Sequence, residues 1–226
     1  MQDVTENSPR YRTVRSFVRR AGRMTPAQKR ALQTLWPMYG VDYRAVQLDL
    51  DEIFGRAASR IMEIGFGNGE LLASMAADSP ETDFIGVEVH EPGVGHCLLA
   101  IQNRNLTNVR VICHDAIEVL KHQIPDRSLQ AVHLFFPDPW PKKRHHKRRI
   151  VQPAFIELLH QKINLGGLLH TATDWDEYAE HMEATILANK GFRLAGTTAG
   201  ARPQTRFEQR GRRLGHEITE RIFQRI

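Results

Sequence analysis

Hydrophobic and polar positions along this chain switch repeatedly between two periods. From residue 60 onward, short apolar runs that end in a glycine, an acid or a proline alternate with stretches of helical spacing. Residues 61–64, 84–89, 109–113, 131–136, 167–172, 192–195 and 216–223 read as strands, the last carrying β-branched Ile218, Thr219 and Ile222. Residues 70–77, 93–103, 150–163 and 175–189 read as helices. Strands alternating with helices predict an α/β fold, a mostly parallel sheet with helices on both faces. Upstream, Thr25-Pro26 opens a further helix, with Thr as N-cap and Pro in the first turn, that should stop near Trp36-Pro37. Residues 1–24 are Arg-rich and lack apolar periodicity, so we expect a mobile basic arm ahead of a single domain over 25–226. Its Arg content resembles a transit peptide, but Asp3 and Glu6 weigh against that.

A chain of 226 residues is long enough to bury a substantial core. Cys97 and Cys113 show neither metal-ligand spacing nor a disulfide framework, and the 11 histidines are scattered. A reducing, cytoplasmic setting without a metal site is therefore expected. No apolar stretch has membrane-spanning length. The net charge of +5 conceals an asymmetry. Residues 1–30 hold eight Lys/Arg against two acids, residues 142–149 six against none, and residues 202–226 seven against three. The remainder holds ten basic and twenty-one acidic residues. Basic segments gathered on an acidic body point to a polyanionic partner.

Gly65-Phe66-Gly67-Asn68-Gly69 lies at a strand-to-helix turn, where glycines let the backbone turn sharply and approach a ligand. The spacing is not that of a dinucleotide fingerprint, which argues against an oxidoreductase. Glu63, Glu88 and Asp115 stand at the ends of three successive strands beside this turn, followed by Ala116. Each acid alone could be a helix cap or a solvated loop residue. Together, Glu88 can accept ribose hydroxyls and Asp115 can face an adenine amino group. Such acid density repels a diphosphate and suits a cationic, phosphate-free nucleoside: S-adenosylmethionine.

The run Phe135-Phe136-Pro137-Asp138-Pro139-Trp140-Pro141 places a carboxylate and an aromatic at another strand end. Lys142, Lys143, Arg144, His145, His146, Lys147, Arg148 and Arg149 follow at once, a strip suited to nucleic-acid phosphates. Asp138 reads either as a site acid or as the acceptor of a Pro-rich turn. Trp140 could stack on a base, or pack the loop. Asp174 and Glu177 have capping-box spacing, which is compatible with substrate contact.

These motifs, together with Gly86-Val87-Glu88-Val89-His90, Ala172-Thr173-Asp174-Trp175, Thr205-Arg206-Phe207-Glu208 and the later Arg210-Gly211, occur in one order. From about residue 15 onward the chain resembles the bacterial tRNA (guanine-N7-)-methyltransferases, class I S-adenosylmethionine-dependent enzymes. The resemblance implies a Rossmann-like seven-stranded methyltransferase sheet with an antiparallel last strand. It implies methyl transfer to N7 of a guanine in the tRNA variable loop. Separately, we expect a monomer acting without a protein partner. The resemblance also implies that Glu63, Gly65, Gly67, Gly69, Glu88, Asp115, Ala116 and Asp138 line the cofactor pocket, Asp138 also being catalytic. Lys142, Asp174, Thr205, Arg206, Phe207 and Glu208 would hold the substrate, and Arg144, His145, His146, Lys147, Arg148 and Arg149 would meet RNA. The link 195–201 is shorter than the family's and lacks its aromatic-Val-Pro stretch.

Two alternatives keep the fold. Asp138-Pro139-Trp140 is similar to the motif of adenine amino-group methyltransferases, although a second proline is missing and a basic strip follows. A non-catalytic RNA-binding subunit would have no need to keep every cofactor-end acid.

Overall fold

A computed structural model describes residues 16–17, 22–196, 208 and 217–226. Thr25 caps α1 (Pro26–Thr34) through a reciprocal pair with Gln28, which bonds the Thr25 amide as Thr25 bonds the Gln28 amide. The helix pauses at Leu35 and resumes as α2 (Trp36–Tyr39), so the stop comes one turn later than the proline suggests. Then follow α3 (Leu50–Phe54), β1 (Ser59–Ile64), α4 (Glu70–Asp78), β2 (Thr82–Val87), α5 (Glu91–Asn103) and β3 (Val109–Ile112). The second half comprises α6 (Ala116–His122), β4 (Leu129–Phe135), a 3-10 helix (Lys143–Arg148), α7 (Pro153–Lys162), β5 (Ile163–Thr173), α8 (Asp176–Ala188), β6 (Phe192–Gly196) and β7 (Thr219–Arg225).

The seven strands form one sheet in the order β3-β2-β1-β4-β5-β7-β6. The pairs β1–β2, β2–β3, β1–β4 and β4–β5 are parallel, while β7 runs antiparallel to both β5 and β6. The expected sheet, with its antiparallel last strand, is present. Strand alternation directs Met62, Ile64, Val132, Leu134 and Leu169 onto Val119, Phe155, Ile156 and Met182 of α6, α7 and α8. On the opposite face Phe84, Val109 and Val111 pack against α1, α4 and α5 through Ala31, Leu72, Ala73, Cys97 and Leu98. With the left half of the sheet covered on both faces, the carboxyl ends of β1, β2, β3 and β4 open together on one edge.

Some boundaries differ from the sequence reading. Helix α7 starts at Pro153 rather than residue 150, because Gln152 precedes a proline and is extended (φ −130°, ψ 159°). Strand β5 begins at Ile163, taking the end of the expected helix. The short helices α3 and α6 were not foreseen. Among the described residues no helix is long and apolar enough to cross a membrane, and no group of three or more His, Cys, Asp or Glu is placed to hold a metal ion.

Candidate functional site

The turn after β1 is left-handed at Gly65, Gly67 and Gly69. Gly69 caps α4 at φ +76°, and a Cβ there would lie 2.4 Å from the Cys97 Sγ of α5. Gly93 on α5 approaches closer still, since a Cβ on it would fall 2.0 Å from the Gly67 carbonyl oxygen. These contacts press the turn onto α5, and His96 of the same helix bonds the Asn68 carbonyl oxygen through Nδ1 at 2.9 Å. The buried Cys97 thiol beneath is pushed well up by burial, with Glu63 and Glu70 adding to the effect, so it stays protonated.

Above the turn lies a cavity of about 470 Å³. Its walls come from the ends of all four strands and include Gly65, Gly67, Glu88, His114, Asp115 and Asp138. Glu88 is held by three backbone amides: Gly67 donates to Oε2 at 3.0 Å, and Val89 and His90 donate to Oε1 at 2.6 and 3.0 Å. Asp115 caps α6 through the Ile117 amide at 2.9 Å, so it is a helix cap and a cavity wall at once. Ala116 behind it is buried and also lines the cavity. Glu63 does not reach the walls, being buried within β1 opposite Gly86 and His133. Three carboxylates line the cavity and, among the described residues, no Lys or Arg does. That donor set fits a nucleoside carrying positive charge and no phosphate.

Some walls had no signal in the sequence. Ser16 and Phe17, assigned to the basic arm, line this cavity and a neighbouring groove of about 900 Å³ between α6 and α7. His114, which precedes Asp115 after β3, lines both and lies flat on Tyr43, the ring centroids 3.7 Å apart at 9°. Tyr43 in turn bonds His122 Nδ1 through its hydroxyl at 2.9 Å, which fixes the stack from behind.

The loop after β4 is bracketed by two left-handed aromatics, Phe136 (φ 50°) and Trp140 (φ 45°). Each such residue costs about 1–3 kcal/mol, which the surroundings must offset. Phe136 is anchored by its amide to the Ala172 carbonyl at 2.7 Å, and Trp140 by its indole Nε1 to the Ser16 carbonyl at 3.2 Å. Between them Asp138 is exposed at the cavity wall. Trp140 thus packs the loop, with the Arg148 guanidinium 5.0 Å from its ring centroid and His145 edge-on.

The basic strip folds into the 3-10 helix directly after Asp138. Lys142, which precedes it, and Lys143, Arg144 and Lys147 are exposed, while His145, His146 and Arg148 are half-buried. Burial and the surrounding Arg144, Arg148, Lys142 and Lys147 lower the His145 pKa, so at neutral pH its charge is absent from the strip. Arg149 departs from the expectation of RNA contact. It is 2% exposed and bonds both Glu177 oxygens at 3.1 Å. The capping-box reading fails for the same reason: Trp175 occupies the N-cap of α8 without a side-chain bond, and Glu177 is committed to Arg149. Asp174 is half-buried at the end of β5, and Glu208 is buried. Thr205, Arg206, Phe207 and most of the link 195–201 lie outside the described residues.

Residues 57–221 match a family profile described as "Putative methyltransferase". The tRNA (guanine-N(7)-)-methyltransferase of Aeromonas hydrophila is 52% identical over 232 residues, an alignment covering 100% of this chain and 98% of that protein. That of Halorhodospira halophila is 54% identical over 220 residues, covering 94% and 95%. Among solved structures, the aminoglycoside resistance methyltransferase NpmB1 shares the fold, with a TM-score of 0.55 at 13% identity over 79% of this chain and 92% of that one. The chain belongs to the tRNA (guanine-N7-)-methyltransferase family.

Proposed function

We propose that this protein transfers a methyl group from S-adenosylmethionine to N7 of a guanine in the variable loop of tRNA. The observation that carries the reading is the place of Asp138 in the wall of an acid-lined cavity that, among the described residues, no Lys or Arg lines, just ahead of the basic 3-10 helix. When bound, S-adenosylmethionine supplies an electrophilic methyl on a sulfonium. Glu88 would hold the ribose hydroxyls, Asp115 the adenine edge, and the backbone of the Gly65–Gly67 turn the remainder. The anchored Glu88 leaves lone pairs free for this, since a carboxylate offers about four acceptor sites.

Guanine N7 carries its own lone pair, so no proton has to leave before attack. The protein's task is then orientation and electrostatics. Asp138 accepts hydrogen bonds from the guanine edge and offsets the positive charge that develops on the purine. It is a positioning and electrostatic group, not a general base. Lys142 and Asp174, both downstream of Asp138 in sequence, would hold the substrate together with residues 205–208. Exposed Lys143, Arg144 and Lys147 grip phosphates, so that a splayed loop base reaches Asp138. We infer that the enzyme works as a monomer in the cytoplasm.

The test incubates purified protein with unmodified tRNA and labelled S-adenosylmethionine and identifies the product nucleoside by mass spectrometry. The expected product is 7-methylguanosine, with kcat falling about 10²–10³-fold in Asp138→Ala. Methylated adenosine would transfer the assignment to amino-group chemistry. Cofactor binding without any product would identify a non-catalytic subunit.

A further inference from the structure

Arg149 ends the basic strip, yet four of its five donor hydrogens are already used. Nε donates to the Pro139 carbonyl at 2.9 Å, Nη1 and Nη2 to the two Glu177 oxygens at 3.1 Å, and Nη2 also to His146 Nε2 at 3.1 Å. Its Cζ lies 4.8 Å from the Tyr178 ring centroid, and 1% of its side chain is exposed. A guanidinium has five donor hydrogens and no acceptor, so His146 Nε2 accepts in this contact. We propose that Arg149 and Glu177 form a clamp between the start of α8 and the Asp138 loop, and that Arg149 is a positioning residue, not a phosphate contact.

The reason lies in the loop. Asp138 sits between two left-handed aromatics, a geometry that relaxes unless both sides are held. The upstream side is held by the Phe136 amide on β5. On the downstream side Arg149 grips the carbonyl of Pro139, the residue that follows Asp138. A phosphate could reach this guanidinium only by displacing Glu177 and opening the contact with Tyr178. Lysine cannot substitute, because it lacks the planar fork that serves Glu177 and Pro139 together.

The inference rests on the proposed role of Asp138, and its test includes a readout independent of turnover. Arg149→Lys, Arg149→Gln and Glu177→Gln are compared with wild type for kcat, tRNA Kd at several salt concentrations, and hydrogen exchange of the peptide spanning residues 135–142. The clamp predicts faster exchange and a kcat at least tenfold lower in every variant. It also predicts a tRNA Kd within about threefold and an unchanged salt slope, and an Arg149→Lys/Glu177→Gln double variant no worse than either single one. A phosphate contact predicts a slope reduced by about one in Arg149→Gln. It further predicts tighter tRNA binding in Glu177→Gln, where the guanidinium is set free. Either of those results, or unchanged exchange, overturns the clamp. Glu177 is 55% exposed, so Glu177→Gln is expected to fold and decides the matter by itself if the Arg149 variants do not. If wild type methylates another nucleoside, the substrate assignment falls, while exchange and kcat on that product still judge the clamp.

Discussion

The Glu88 carboxylate accepts the Gly67 amide at 3.0 Å, tying the end of β2 to the middle of the glycine turn across the cavity floor. The group that would receive the ribose therefore also shapes the turn beneath the cofactor. Glu88→Gln reverses one donor-acceptor relation among its three amide contacts. Hydrogen bonds to charged groups contribute about 1.5–3 kcal/mol, so S-adenosylmethionine affinity should fall about ten- to a hundredfold. Isothermal titration calorimetry checks this, and unaltered affinity would remove Glu88 from the site.

Close approach makes Gly93 a second point of sensitivity. A Cβ there meets the Gly67 carbonyl oxygen at 2.0 Å, so Gly93→Ala must push the turn off α5. Overpacking of this kind costs about 1–3 kcal/mol, to be read from urea denaturation, and the displaced turn should weaken cofactor binding in the same variant. Wild-type stability and affinity together would mean that α5 yields without moving the turn.

Exposed cations of the 3-10 helix should behave differently from Arg149. Removing Lys143, Arg144 and Lys147 together is expected to weaken tRNA binding and to lower its salt slope by about one for each phosphate no longer neutralised. Arg148→Ala should also loosen the loop, because its guanidinium covers Trp140. Cofactor affinity should not change in the triple variant. Filter binding at several salt concentrations, beside calorimetry, distinguishes the two effects.

Glu177 carries a pH signature. The hydrogen bond from Arg149 holds its carboxyl below the ordinary value of 4.5, against the opposing effect of desolvation. With the folded value depressed, the pair's contribution is fully present above that ordinary value and is lost as pH falls through the lowered one. The difference in melting temperature between wild type and Glu177→Gln should be constant from pH 7 to about 5 and shrink on further acidification. A difference that grows as pH falls would contradict the ion pair.

Much of this site was legible in the chain because its signals are local. Gly65 to Gly69, Glu88, Asp115 and Asp138 each end a strand, and strand ends are marked by the breakdown of apolar periodicity. Thr25-Pro26 likewise encodes its own cap. What escaped was set by distance. Arg149 looks like its neighbours in sequence and differs from Arg144 only because Glu177 and Tyr178, about 30 residues on, come to enclose it. Asp174 and Glu177 have capping spacing, but that more distant partner outcompeted the local bond. Helix α6 was missed since its seven residues offer barely two turns of periodicity. Nothing local in Ser16 and Phe17 reveals that they close a wall formed by residues about 50 to 130 positions away.

The placement of β7 between β5 and β6 bears on how the molecule is made. Among the described residues, strand β6 finds its sheet neighbour only in Thr219–Arg225, so the ribosome delivers it before that partner exists. Until then the long β5 presents a bare edge, the kind of surface through which nascent chains associate wrongly. Strand insertion thus has to wait until β6 has been made, and a chain halted before residue 219 would hold its glycine turn and acids on a sheet still open along β5.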